Sequence, residues 1–189
     1  LARLRAVLAV LEEELQHPVD IEFACDGDDF YLLQCRSQSY GDEYIPAEIP
    51  HNISEDRVLF TADRYISNGV ISDLSHIVYV DPVEYSTLSS KQAMLDIGRI
   101  VSKLNKTLPR RRFILIGPGR WGSRGDIKLG VSVTYSDINN TAALIEVAQQ
   151  RGDYTPDPSF GTHFFQDLVE SKIRYIPLYP DDPGIVHNL

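Results

Sequence analysis

Residues 20–36 read DIEFACDGDDFYLLQCR, two runs of alternating apolar side chains around a polar turn. The alternation predicts two strands, and the glycine and aspartates between them predict a tight antiparallel turn. A three-residue turn places Glu22 opposite Gln34 and Asp20 opposite Arg36. A two-residue turn would slip the register by one residue and mix the two faces. The run therefore predicts a hairpin with one polar and one apolar face.

The apolar face of this hairpin is expected to be buried. It holds six side chains: Ile21, Phe23, Cys25, Tyr31, Leu33 and Cys35. The two cysteines lie several residue pairs apart in this register, beyond the reach of a disulfide, which is about 7 Å between Cα atoms. We therefore interpret both cysteines as small core residues.

The polar face brings a carboxylate, an amide and a guanidinium together at Glu22, Gln34 and Arg36. Carboxylate and amide oxygens are hard ligands suited to Mg²⁺, and a guanidinium can clamp a phosphate with two hydrogen bonds. Such a set suits a Mg-nucleotide in a phosphoryl-transfer site. The alternative is a solvent-facing hairpin with an Asp20–Arg36 surface pair worth under about 1 kcal/mol. The residue pattern alone leaves both interpretations open.

The runs Pro18–Phe23 and Tyr31–Arg36 resemble the end of the nucleotide-binding domain of phosphoenolpyruvate synthase and pyruvate phosphate dikinase. The resemblance implies an ATP-grasp fold in which Glu22 and Gln34 serve Mg-ATP and Arg36 contacts the transferred phosphate as a catalytic residue. It also implies an ATP-dependent phosphotransferase that makes phosphoenolpyruvate from pyruvate, ATP and water. ATP and pyruvate are then the expected small-molecule substrates, with ATP and Mg²⁺ in the binding site.

Three parts of that family are not recognisable in these residues. One is the N-terminal lobe, whose lysine and glycine-rich loop hold ATP. The others are the swivelling domain with a phosphohistidine and the barrel that binds pyruvate. Leu74–Val78 is a faint echo of that motif around His76, and a strand-end histidine is the alternative.

A helical leucine pattern begins at Leu1 without a capping residue, so we expect the native protein to continue upstream. The chain is then expected to be a C-terminal part of the enzyme, inactive alone, with the missing N-terminal lobe as its partner. The alternative is a non-catalytic ATP-binding, regulatory or interaction module. A lysine and a glycine-rich loop upstream would favour the enzyme.

Composition excludes several classes of partner. The 189 residues hold 18 Lys and Arg against 27 Asp and Glu, a formal charge of −9. A nucleic-acid binder needs a basic face, and anionic lipid attracts basic segments, so neither partner is expected. Two cysteines cannot form a disulfide scaffold, and no Cys/His cluster has zinc spacing. A reducing, cytoplasmic setting is expected.

The chain as a whole predicts a mixed α/β fold in two parts. Residues 1–50 are interpreted as a helix, the hairpin of an ATP-grasp domain and a linker, and residues 51–189 as an α/β domain with a mixed sheet. The second domain's predicted elements are strands at 76–80, 113–116, 128–135 and 174–179 (the last at an edge), helices from Ser89 and over 162–172, and a run at 142–148 that fits a strand or a helix. The helix from Ser89 is expected to bury one stripe: Ala93, Ile97, Ile100 and Leu104.

A glycine-rich run, GPGRWGS at 117–123, follows one of these strands. Ligands of open α/β sheets gather beyond the carboxyl ends of strands. Gly117 and Gly119 would let backbone N–H groups approach an anion, and Arg120 would add positive charge. The alternative is a tight loop in which Trp121 packs as a lid or a core anchor. With GTHFFQDLVE at 161–170, this run resembles a domain of unclear role in phosphoenolpyruvate synthase-like proteins.

His163, Asp167 and Glu170 are spaced to share one face of the helix predicted over 162–172. A single helix supplies too few ligands for a firm metal site. The simpler interpretation is a first-turn histidine near a Thr162 cap, with solvated acids.

Overall fold

The computed structural model describes residues 2–15, 19–37, 48–67, 69–122, 130–150 and 155–189, apart from the side chains of Arg36 and Ser37. The chain divides into two compact units, Leu1–Tyr44 and Ile45–Leu189. The boundary expected after residue 50 lies a few residues beyond this division.

The first unit holds one helix, α1 (Ala2–Leu15), and two antiparallel strands, β1 (Val19–Cys25) and β2 (Phe30–Ser37). The predicted leucine-striped helix is present, and the described leucines of its stripe are at most half-buried. No described residue of α1 is fully buried. With one helix and a two-stranded sheet among its described residues, this unit has little core of its own.

The register of the hairpin is as predicted at its open end. The polar pairs are Asp20–Arg36 and Glu22–Gln34. A β-bulge follows Glu22, and beyond it Cys25 pairs with Phe30. The turn therefore covers residues 26–29, and the predicted three-residue turn is wrong. The bulge adds one residue to β2. Without it, a four-residue turn would place Glu22 and Gln34 on opposite faces; with it, they remain on the same face.

The hairpin's apolar face is largely exposed, and the prediction that it is buried is wrong. Phe23 is 45% exposed and Leu33 is 66% exposed. Because the bulge shifts the register, Tyr31 pairs with Ala24 on the polar side, while Phe30 stacks on Phe23 with 5.0 Å between ring centroids. The face is open because this unit has no further layer among its described residues. Both cysteines are free thiols.

The second unit contains four strands: β3 (His76–Tyr79), β4 (Phe113–Pro118), β5 (Ala143–Val147) and β6 (Arg174–Leu178). They form one sheet in the order β3-β4-β5-β6. The α/β fold class is confirmed, and so is the edge position of the last strand. The mixed sheet expected for this domain is wrong, because every described pair in it is parallel. The ambiguous run at 142–148 is the fully buried inner strand β5.

Three helices connect these strands: α2 (Pro82–Thr87), α3 (Lys91–Thr107) and α4 (His163–Glu170). Each begins after a side chain that accepts hydrogen bonds from the first free N–H groups. The capping residues are Asp81, Ser90 and Thr162. The predicted start of α3 at Ser89 is therefore one residue early.

The buried stripe of α3 differs from the predicted one. Its buried residues are Met94, Gly98, Val101 and Asn105. The predicted stripe is only half-buried, and its Ile100 is 54% exposed. An added Cβ at Gly98 would lie 2.3 Å from the carbonyl oxygen of Ser132. The close passage of that segment brings this side of the helix inward, which helical spacing alone could not show.

The strand expected at 128–135 is wrong in its described part. Gly130 forms only an isolated bridge, and Tyr135–Asp137 form a 3-10 turn. Val131 and Val133 are nevertheless buried. The alternating valines therefore mark a segment that packs against the core but forms no strand ladder in its described part. The first two residues of the predicted strand fall outside the described residues.

Each face of the parallel sheet carries its own hydrophobic cluster. The larger cluster packs the three helices against one face and includes Trp121. The smaller cluster lies on the other face and includes Ile116, Ile145 and Leu178, with Phe60 packed against it. The inner strands are thus covered on both sides, as parallel sheets require, and their carboxyl ends are held in fixed positions.

Candidate functional site

The polar face of the hairpin is the first candidate site. Glu22 is exposed, Gln34 is half-buried, and the two are direct partners in the ladder. Asp20 and Arg36 form the neighbouring pair in the ladder, two residues along each strand from Glu22 and Gln34. The structure thus brings together the backbone positions of all three predicted hairpin residues. The side chain of Arg36 lies outside the described part of the chain.

The bulge lies directly beside these polar pairs. Glu22–Gln34 is the last regular pair before the register shifts. At the far end of the hairpin, the turn is held by Asp26 Oδ1, which accepts the N–H of Asp29 at 3.2 Å. Gly27 takes a φ of 109°, which favours glycine. The bulge therefore separates the polar pairs from the turn, so that the turn's geometry does not fix the register of these pairs.

The glycine-rich loop after β4 is the second candidate site. It lies at the carboxyl ends of β4 and β5. The N–H of Gly119 donates to the carbonyl oxygen of Val147 at 2.8 Å. The N–H of Trp121 donates to the carboxylate of Glu146, also at 2.8 Å. These two N–H groups are used within the fold and do not point towards an open anion site.

Packing accounts for Gly117 of this loop and for Gly130, which pairs with the loop. A Cβ at Gly117 would lie 2.7 Å from the ring of Trp121, a residue only 1% exposed. A Cβ at Gly130 would lie 2.6 Å from the backbone nitrogen of Arg120. The geometry favours Trp121 as a core anchor. The anion site at Gly117, Gly119 and Arg120 stays a prediction.

A buried carboxylate, Glu146 of β5, ties this end of the sheet together. The residue is 0% exposed. Its Oε1 accepts the N–H of Trp121 at 2.8 Å and the hydroxyl of Ser159 at 2.7 Å. Its Oε2 accepts the N–H of Ser159 at 2.5 Å and the hydroxyl of Tyr175 at 2.6 Å. One side chain thereby joins the loop after β4, the segment before α4 and strand β6 to the inner strand.

The charge state of this cluster follows from burial. Burial raises the pKa of Glu146 to about 7, against the opposing effect of the hydrogen bonds from Ser159, Tyr175 and Trp121. Burial and the neighbouring charge of Glu146 raise the pKa of Tyr175 far above its ordinary value. The tyrosine hydroxyl therefore remains a hydrogen-bond donor at every relevant pH, while the carboxyl group of Glu146 titrates near neutrality.

Sequence reasoning missed both Glu146 and Ser159. The one available signal for Glu146 was a single acidic residue inside the apolar run 142–148. A carboxylate in a buried strand needs hydrogen-bonding partners, but the run does not show which residues supply them. Ser159 gave no comparable signal, because its role depends on two loops meeting in space.

The remaining histidine candidates lie apart from these sites. His76 is exposed at the amino end of β3, with its Nδ1 2.8 Å from the hydroxyl of Ser75. His163 is exposed at the start of α4, with its Nδ1 3.2 Å from Oε1 of Gln166. Among the described residues, no group of three His, Cys, Asp or Glu side chains is placed to hold a metal ion.

Comparison with known proteins gave one informative result. Residues 1–57 match the sequence model of the family described as pyruvate phosphate dikinase, AMP/ATP-binding domain. The match covers the whole hairpin and confirms the family resemblance found there. Searches of curated proteins and of solved structures returned no match. No helix in the described ranges is long and apolar enough to cross a membrane.

Proposed function

We propose that the chain is part of a phosphoenolpyruvate synthase-like, ATP-dependent phosphotransferase, because residues 1–57 match the model of the pyruvate phosphate dikinase AMP/ATP-binding domain. The reaction implied by the resemblance makes phosphoenolpyruvate from pyruvate, ATP and water. The observation that carries the proposal is the ladder register, which pairs Glu22 with Gln34 and Asp20 with Arg36 inside the matched segment.

Glu22 and Gln34 fit a magnesium ion by their chemistry. A carboxylate and an amide carbonyl are hard oxygen ligands, and Mg²⁺ is usually held by one or two such groups together with substrate phosphates and water. Glu22 is exposed, so an ion carried by ATP can reach it. When bound, the ion would neutralise charge on the phosphates during transfer.

Arg36 follows Gln34 by two residues in β2, and both residues therefore lie on the same sheet face. A guanidinium there would clamp a phosphate with two parallel hydrogen bonds and stabilise the charge that develops during transfer. Asp20, its cross-strand partner, would hold the arginine in position. Metal and arginine would thus act on the same phosphates from neighbouring residue pairs.

A paramagnetic titration of the 189-residue chain tests the metal ligands. Mn²⁺ replaces Mg²⁺ in the presence of ATP, and amide resonances of residues 20–22 and 34–36 should broaden at lower Mn²⁺ than those of the turn at 26–29. Glu22→Gln should abolish the difference. Asp28→Asn removes the same charge from the exposed turn and should preserve it. Equal effects of the two variants would refute the assignment.

Kinetics of the intact protein test Arg36. Arg36→Ala should lower the rate of phosphoryl transfer by a factor of about 10³ or more, as for other arginines that stabilise a transferring phosphate. Arg36→Lys should not restore the rate, because an ammonium cannot reproduce the bidentate fork. Full activity in the lysine variant would contradict the proposed role.

A further inference from the structure

A groove runs along α3 where the segment 131–137 crosses the helix. Its volume is about 390 Å³, which lies in the range of small-molecule sites, about 300–1,000 Å³. Gly98 forms part of the lining, and a Cβ there would lie 2.3 Å from the carbonyl oxygen of Ser132. The crossing therefore requires glycine, and the groove has a floor of backbone fixed by packing.

Three cations of α3 line one side of this groove: Arg99, Lys103 and Lys106. Their spacing of four and three residues puts them on one helix face. Arg99 is held by Asp96 at 2.6 Å. Neither lysine has an ion-pair partner within 4 Å among the described residues. Like charges at this spacing repel each other, while Lys106, in the last turn of α3, also complements the negative end of the helix dipole. The cluster concentrates positive charge in a chain of formal charge −9.

The opposite side of the groove offers a hydrogen-bond acceptor. One oxygen of Asp137 accepts the hydroxyl of Ser102 at 2.8 Å, and the other accepts the N–H and the hydroxyl of Thr134 at 2.8 and 2.7 Å. Burial acts to raise the pKa of Asp137, but these hydrogen bonds and the charge of Lys106 hold it below its ordinary value. A carboxylate has about four lone-pair sites, so one acceptor position remains for a ligand.

We propose that this groove binds an organic phosphate that also carries hydroxyl groups. Lys103 and Lys106 contact the phosphate, and Asp137 accepts a hydrogen bond from a ligand hydroxyl. The lining contains one aliphatic side chain, Leu95, which favours a polar, sugar-like body over an aromatic one. The site lies in the parallel-sheet unit and does not depend on the ATP site proposed for the hairpin.

An NMR titration of the ¹⁵N-labelled 189-residue chain with ribose 5-phosphate tests the site. Saturable shifts are expected at amides of α3 and of residues 132–137, with affinity at least about ten times that for methyl phosphate, which has the phosphate but no hydroxyls. Ribose alone should cause no shifts. Shifts confined to the hairpin, or equal affinity for methyl phosphate, would overturn the proposal.

Matched lysine variants locate the charge that matters. Lys103→Ala should weaken binding of ribose 5-phosphate at least about fivefold. Lys91→Ala removes the same charge from the first residue of α3, outside the groove lining, and should leave the affinity unchanged. Both side chains are exposed, so the fold is preserved in each variant. Equal losses in the two variants would show non-specific attraction to helix charge and overturn the site.

Discussion

Replacing Glu146 with glutamine tests the buried cluster because the amide cannot satisfy the same donors. Each oxygen of Glu146 accepts one backbone N–H, from Trp121 on one side and from Ser159 on the other. An amide has only one oxygen, so either orientation points its NH₂ group at a backbone N–H. A protonated carboxyl differs, since its O–H can be donated to a hydroxyl while both oxygens still accept. The Glu146→Gln protein should therefore have a lower free energy of unfolding than the wild-type protein with Glu146 protonated.

The magnitude follows from the groups left without partners. One backbone N–H and one amide hydrogen lose their acceptors in a site that is 0% exposed. Each buried unsatisfied donor costs about 1–3 kcal/mol, so the free energy of unfolding should fall by about 2–6 kcal/mol. For a chain of this size, that loss lowers the melting temperature by roughly 4–24 °C.

Urea unfolding at pH 5, followed by tryptophan fluorescence, is the appropriate assay, because Glu146 is then protonated in the folded state. Trp121 is the single tryptophan of the chain, and its backbone N–H is one of the affected donors. Glu84→Gln, at an exposed acid in the first turn of α2, should change the free energy of unfolding by less than about 0.5 kcal/mol. A Glu146→Gln protein as stable as the Glu84→Gln control would refute the hydrogen-bond argument.

Three further outcomes are expected. The folded-state pKa of Glu146, about 7 against an ordinary 4.5, means that its contribution to stability is full below about pH 4.5 and is lost as the pH rises through 7. The stability gap between wild type and Glu146→Gln should thus shrink by about 2–3 kcal/mol between pH 5 and 8, and a constant gap in urea titrations would contradict this. The 189-residue chain alone should show no Mg-dependent ATP turnover in a phosphate-release assay, because the lysine and glycine-rich loop that position ATP in the family are not recognisable in it; measurable turnover would overturn that expectation. Gly98→Ala should lower stability by about 1–3 kcal/mol in thermal melts, since the clash with Ser132 outweighs the gain of about 1 kcal/mol in helix propensity; a more stable variant would show that the crossing segment can yield.

The polar pairs of the hairpin could be predicted because side-chain alternation fixes which residues share a face. The same argument failed at the turn, because a change in turn length and a bulge can compensate for each other without changing which residues share a face. In the structure, the turn at 26–29 is combined with one extra residue in β2, and Glu22 pairs with Gln34. A three-residue turn without a bulge would give the same pair. Alternation constrains only their combined parity, so the pairs were right while Leu33 and Tyr31 were misplaced.

The Glu146 cluster could not be predicted because its partners come from distant parts of the chain. Trp121, Ser159 and Tyr175 meet Glu146 only after β4, β5 and β6 have aligned in parallel. Sequence periodicity describes one helix or strand at a time, so it cannot predict contacts between residues of different elements. The shifted stripe of α3 has the same origin, since the passage of Ser132 over Gly98 is a contact between elements.

The β-bulge also makes the hairpin tolerant of length changes at its tip. It separates two stretches of ladder, so that Asp20, Glu22 and their partners pair independently of how the residues beyond Phe23 are matched. A one-residue insertion or deletion in the turn can be absorbed by gaining or losing the bulge, with the cost confined to the exposed tip. Natural drift in turn length, or a tag grafted between Asp26 and Asp29, would then leave the pairs Asp20–Arg36 and Glu22–Gln34 in register.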